Sequence, residues 1–495
     1  MLTSIRAATV AGLAVLAVSG SLPVPDAPPQ APPLIAWSDC GDGAQCATLT
    51  VPVDWRRPAG PTTTVNLGRV TATDPAHRVG TVVVNWGSGV STSTLHPRMP
   101  VVDDLAASFD VVVMDMRGLG RADNNTLVPC TGPQPPVDGL VKAVDEAGWQ
   151  AHAAANAAYD AGCRQAAGAL FDGLTSWQAA HDLDALRAAL GERKLRYIGN
   201  SYGTTFGQAY AELFPDRVER MYLDGVADHT QPWLEDWLRN YAVTQEQQLI
   251  RFRDWCRERA GCWLHDTDAA QVWDQLVARA GAHPLPAPSA GAGRTVSVQE
   301  LFAGAWFGMS PPLWPRLAEA MAKARDGDAG MFLAMSPGQQ PEEQGNMLGT
   351  TLCHDFMPQT PTYQQFQGIE ARLKAVAPRF GWIEGRIELG RCVGIPGRPA
   401  YPPHPLTAPG LPPVLVGIGE LDNNTANPGA ARVARQLPGA RALWHGDGHA
   451  AFVLHGNTCL NGHVLAYLVD GTLPAAGTRC PGEMIKAIPD RMPAG

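Results

Sequence analysis

Residues 195–204 read LRYIGNSYGT. A short apolar run rich in strand-forming residues ends at Gly199, and a helical pattern starts after Gly203 and stops at Phe214-Pro215. Gly199, Ser201 and Gly203 therefore put a G-x-S-x-G pattern on a strand-to-helix turn. Glycine and serine are common, so the five residues alone say little; the strand before and the helix after give them meaning. Such a turn lifts the serine hydroxyl above the sheet edge, and the small flanking residues let the backbones approach closely. The helix N-terminus favours negative charge developing beside it, and the Tyr202 amide is placed to donate to an oxyanion.

The surrounding sequence repeats the same alternation. Residues 47–53 and 63–70 read as strands, and the valine runs 82–84 and 111–114 as fully buried ones. Residues 176–190 have apolar side chains at helical spacing and end at Gly191, and 220–223 form a further strand. Strands alternating with helices predict an α/β fold with a mostly parallel sheet covered by helices. From 231 to about 400 the pattern becomes mainly helical, and seven of the 14 tryptophans lie between Trp233 and Trp314. Most of these fill a small helical core on this reading, although clustered aromatics also suit the roof of an apolar pocket. A last strand–helix stretch opens at 413–419.

A serine hydroxyl attacks a carbonyl only when a base takes its proton and an acid orients that base. Both should follow the serine along the chain. Asp422 stands just after strand 414–418, and His449 lies 27 residues further on, between Gly448 and Ala450. His445 and His455 compete for the base, but Trp444-His445 still reads as strand, so His449 is preferred. Glu420 is the weaker competitor for the acid. The second oxyanion donor is expected in the loop after strand 82–84, at the Gly87 or Ser88 amide.

Lys and Arg number 38 against 47 Asp and Glu, a net charge of −9 without a long basic run. This argues against a nucleic-acid groove and against a polybasic membrane patch. Arg6 precedes a 12-residue small-apolar run, too short to span a bilayer, then small residues and a proline-rich stretch. The expectation is a cleaved signal peptide over 1–20, a linker over 21–35, and a secreted protein without a membrane anchor. Ten cysteines fit an oxidising compartment, and pairing in sequence order is the simplest arrangement. No C-x-x-C pair or H-E-x-x-H occurs, so neither a metal nor another cofactor is expected.

Together these residues carry a resemblance to the α/β-hydrolases of the tripeptidyl aminopeptidase and prolyl aminopeptidase family. It rests on Asp115-Met116-Arg117-Gly118, Asp182-Leu183-Asp184, Gly199 to Thr204, and Leu223-Asp224-Gly225-Val226. It continues in Cys353-His354-Asp355, Gly419-Glu420-Leu421-Asp422 and Gly448-His449. The resemblance implies an α/β-hydrolase core over 36–230 and 406–485, with a helical cap inserted over 231–405. It also implies a serine peptidase that releases short peptides from free N-termini, with Ser201 as nucleophile, Asp422 as orienting acid and His449 as base. A secreted carboxylesterase using the same triad is the alternative, and a catalytically silent binding protein a more distant one. An aminopeptidase needs a carboxylate for the substrate ammonium. Asp355 is the expected one, with Glu235 and Asp236 as competitors. The oxyanion loop departs from the family's N-P-G-G-P-G pattern by carrying Trp86 and Ser88.

Overall fold

The computed structural model describes residues 35–492, apart from 122–125, 129, 337–347, 356, 358 and 455. The expected signal peptide and nearly all of the proline-rich linker lie outside the described residues, as does His455.

Ten strands form one sheet: β1 (Ser38–Gly41), β2 (Ala44–Pro52), β3 (Thr62–Val70), β4 (Gly80–Asn85), β5 (Phe109–Met114), β6 (Leu195–Asn200), β7 (Val218–Asp224), β10 (Leu415–Gly419), β11 (Arg441–His445) and β12 (Arg479–Cys480). A two-stranded ribbon, β8 (Leu285–Pro286) and β9 (Thr295–Val296), lies between β7 and β10 in the chain. The sheet order is β1-β2-β3-β5-β4-β6-β7-β10-β11-β12. The pairs at the β1 edge are antiparallel as far as β3–β5, and every pair from β5–β4 onward is parallel.

The valine runs predict this arrangement because a parallel strand is covered on both faces. Val83 and Val112 face a layer that contains Leu183, Leu186, Phe206 and Tyr210. Their neighbours Val82, Val84, Val111 and Val113 face the opposite layer, with Leu105, Leu460, Val464 and Leu468. β4 has β5 on one side and β6 on the other, so the connections leave in opposite directions there. The crevice beyond the strands' carboxyl ends opens at this reversal, between the loops that follow β4 and β6.

Between β7 and β10 the chain is mainly helical. Its core contains Trp255, stacked on Phe252 and tilted against Trp314, with Trp314 edge-on to Phe252 and Trp273 edge-on to Phe302 and Phe380. These three tryptophans are core residues. Trp306 lines the crevice, and Trp237 both lines it and packs in a further apolar core, so both readings of the cluster hold.

Sequence reading missed the helix Glu146–Ala167, which lies between β5 and β6 in the chain. Trp149 on this helix packs with Trp237 and Phe366 of the helical region, while Tyr159 and Cys163 join the sheet's own core. His152 and Asn156 bond the Gly390 carbonyl at 2.7 and 2.8 Å. The helical layer is thus built from two separate stretches of chain. The cysteines pair in sequence order: Cys40–Cys46, Cys130–Cys163, Cys256–Cys262, Cys353–Cys392 and Cys459–Cys480. No helix among the described residues is long and apolar enough to cross a membrane.

Candidate active site

Ser201 follows β6 directly and has φ of 53°, a left-handed conformation that a non-glycine residue adopts only when its surroundings enforce it. The constraints are visible. The Ser201 amide donates to the Asp224 carbonyl at 3.0 Å, and Asn200 Nδ2 donates to the Trp86 carbonyl at 3.0 Å. Thr204 Oγ1 donates to the Ser201 carbonyl at 2.5 Å. Both glycines of the motif are needed sterically. A Cβ on Gly199 would lie 2.6 Å from the Gly203 carbonyl, and one on Gly203 would lie 2.5 Å from two oxygens of Asn85. Gly203→Ala is therefore expected to destabilise the fold by about 1–3 kcal/mol, measured as a fall in denaturant midpoint at unchanged slope.

Ser201 lines a cavity of about 600 Å³ together with Trp86, Ser88, Tyr202, Asn423 and His449. His449 leaves the loop after β11, and its Nδ1 meets Asp422 Oδ2 at 3.0 Å. Glycine is required at 225, where a Cβ would come within 2.7 Å of that imidazole. Asp422 is buried, and its Oδ1 accepts the amides of Asn424 and Thr425 at 3.0 and 2.9 Å. Its Oδ2 also accepts Thr425 Oγ1 at 2.7 Å. Burial works against charge on both partners, but their mutual attraction prevails. The imidazole is held above its usual pKa, and the carboxylate, with the Thr425 bonds, below its own.

The competitors lie elsewhere. His445 is buried at the end of β11, with neither ring nitrogen hydrogen-bonded among the described residues, and its Nε2 is 4.0 Å from Asp224. Glu420 pairs with Arg479 at 2.6 Å.

Two expectations need correction. The Gly87 amide donates to Asn85 Oδ1 at 3.0 Å instead of facing the cavity. Glycine is needed at 87 because φ is 110° and a Cβ would sit 2.8 Å from that of Ser201. Ser88, the other expected donor, lines the cavity, as does Tyr202. Asp355 is completely buried, with Oδ1 accepting the Ser176 amide at 2.8 Å and Oδ2 the Tyr202 hydroxyl at 2.7 Å. It is bonded to the Tyr202 side chain and is not among the residues that line the cavity. Glu235 accepts Nε and Nη2 of Arg372, at 2.6 and 2.7 Å, and Asp236 is exposed.

The acids that do line the cavity are Glu384 and Glu388, one turn apart on the helix Glu384–Gly390. Glu384 accepts Gln245 Nε2 and, at 2.6 Å, Trp306 Nε1. Burial raises the pKa of both acids, and for Glu384 the neighbouring Glu388 raises it further. Arg391 also lines the cavity, 3.7 Å from Glu388. In the sequence these acids look like an ordinary solvated helix face; only the fold turns them inward.

This sheet order, the serine on a strained turn after β6 and the acid–histidine pair after β10 and β11 are features of an α/β hydrolase. A family model described as "alpha/beta hydrolase fold" matches residues 88–262, and one described as "TAP-like protein" matches residues 381–480. The chain is 30% identical to serine protease Hip1 of Mycobacterium tuberculosis, over 88% of this chain and 87% of that protein. It is also 30% identical to tripeptidyl aminopeptidase of Streptomyces lividans, over 90% and 86% respectively. To carboxylesterase B of Mycobacterium tuberculosis it is 28% identical, over 93% and 92%. The chain belongs to the α/β-hydrolase family, in its tripeptidyl-aminopeptidase-like branch, and is a serine hydrolase.

Proposed function

We propose that this protein is an exported aminopeptidase that releases short peptides from free N-termini through an acyl-enzyme on Ser201. With His449 Nδ1 engaged by Asp422, Nε2 is left to take the serine proton as Oγ attacks the scissile carbonyl. The Tyr202 and Ser88 amides receive the charge that develops on the carbonyl oxygen. The imidazolium then protonates the leaving amine, the C–N bond breaks, and a water activated by the same ring hydrolyses the ester. Neither oxygen nor proton needs a metal in this sequence of steps. The five disulfides and the apolar run after Arg6 support export.

The observation that carries the peptidase reading is the pair Glu384 and Glu388 in the wall of the cavity that also contains Ser201. Two largely buried acids are costly with a single cation between them; Arg391 faces Glu388 at 3.7 Å, and a peptide's α-ammonium supplies the second. An ester substrate lacks that charge. The test compares tripeptide anilides, with free and acetylated N-termini, against a p-nitrophenyl ester. Glu384→Gln/Glu388→Gln is expected to lower kcat/KM about 100-fold on the free-amine peptide and leave the ester and the acetylated peptide nearly unchanged. Wild-type turnover of esters alone would replace this reading with the carboxylesterase one. Absence of fluorophosphonate labelling at Ser201 would leave a silent binding protein.

A further inference from the structure

Three consecutive residues at the end of the helix Leu348–Asp355 are each fastened to a different part of the molecule. Cys353 is bridged to Cys392, which lines the cavity. His354 Nε2 meets Asp160 Oδ1 of the helix Glu146–Ala167 at 2.7 Å. Asp355 reaches inward to the nucleophile turn.

The partners of Asp355 belong to two elements of the sheet layer. Ser176, the first residue of the helix Ser176–Ala189, donates its amide to Oδ1 at 2.8 Å and its hydroxyl to Oδ2. The carboxylate therefore caps that helix where the helix dipole favours negative charge. The Tyr202 hydroxyl donates to Oδ2 at 2.7 Å. Tyr202 is tied again by its carbonyl, which accepts Thr205 Oγ1 at 2.7 Å, and Thr205 Oγ1 also lies 2.8 Å from Ser176 Oγ. Asp355 thus accepts from both Ser176 and Tyr202, Thr205 holds the Tyr202 carbonyl, and the four residues form one polar cluster, buried throughout. Burial alone would push the Asp355 carboxyl up, and even with these donors it stays at about 6. A carboxylate held at such cost is well suited to fix one neighbour in place.

We propose that Asp355 is a positioning residue for the oxyanion amide of Tyr202, and that Cys353-His354-Asp355 couples the helical cap to the nucleophile turn. The inference rests on the reading of Ser201 and Tyr202 given above. Tyr202 has no side-chain route to the reaction, since its hydroxyl points away to Asp355. Its contribution is the direction of its backbone N–H, which the ring and hydroxyl anchor. An oxyanion donor is effective only at hydrogen-bond distance from the developing charge, so a small tilt is costly in the transition state and nearly neutral for substrate binding.

The experiment compares Tyr202→Phe, Asp355→Asn and the double variant. The readouts are kcat per fluorophosphonate-titrated site, KM, and the inhibition constant of a peptide boronic acid that mimics the tetrahedral adduct. Each single variant is expected to lose about 10- to 100-fold in kcat with KM within about twofold. Boronate affinity should fall in parallel, and the double variant should be no worse than the poorer single one. A purely structural role would lower thermal stability and the titratable fraction but leave kcat per site at the wild-type value; that result in Tyr202→Phe overturns the proposal even if Asp355→Asn fails to fold. Full labelling of Ser201→Ala would instead overturn the underlying assignment of the nucleophile. Loss of that labelling together with a wild-type Tyr202→Phe would remove only the positioning role.

Discussion

Ser201→Ala is expected to lower kcat by about 10⁴- to 10⁶-fold on any substrate the wild type turns over, with circular dichroism and thermal midpoint unchanged. The serine hydroxyl supplies the bond that defines the acyl-enzyme, and Ser201 lines the cavity together with His449 and Tyr202. His449→Ala should cost about as much, and the double variant should be no worse than either single one, because the hydroxyl and its base act as a unit. Single-turnover measurement with an active-site titrant checks this. Additive losses would mean that His449 is not the base for Ser201, and a mild His449→Ala phenotype would redirect attention to His455.

Asp422→Asn is expected to lower kcat by about 10⁴-fold, because an amide at this position no longer fixes the imidazole tautomer or stabilises its positive charge. The effect also has a pH signature. His449 must be neutral to accept the serine proton, so kcat/KM rises with pH through the pKa of the free enzyme's imidazole. Asp422, hydrogen-bonded to the ring, raises that pKa, with a lesser contribution from Asp224. The wild-type acid limb should therefore lie above pH 6.5, and in Asp422→Asn what activity remains should show it at lower pH. The neighbouring Asp224 gives this test its edge. It is fully buried at the end of β7, its carbonyl holds the Ser201 amide, and its carboxylate accepts the Phe452 amide at 3.3 Å. If Asp422→Asn lost less than tenfold with an unmoved limb, Asp224 would be the orienting acid.

Local pattern was a good guide wherever a residue's environment follows from its neighbours in the chain. The runs 82–84 and 111–114 became β4 and β5 because an uninterrupted apolar stretch can be covered only by apolar layers on both faces. The turn at 199–203 was legible because no other residue fits where a Cβ would strike a carbonyl oxygen. Asp422 and His449 were reached from the same logic, since each follows a strand whose carboxyl end lies at the crevice. Asp355 was misread for a corresponding reason. A carboxylate near a predicted cap looks available to a ligand, and nothing local says that Ser176, 179 residues earlier, will take it. Gly87 was misjudged because the side chain of Asn85, two residues away, turns back to accept its amide.

The chain's own order of residues thus determined the strand–helix alternation and the strained serine turn, both of which depend on backbone sterics and hydropathy. Pairing of the cysteines in sequence order was the simplest arrangement, but bridges such as Cys353–Cys392, 39 residues apart, are made by the fold. Tertiary packing alone decided which acids face the cavity. Glu384 and Glu388 line the cavity, whereas Glu235, on the separate helix Leu234–Arg257, is paired with Arg372. Burial is a property of the assembled layers, and it is burial that turns an ordinary carboxylate into a site for a cation.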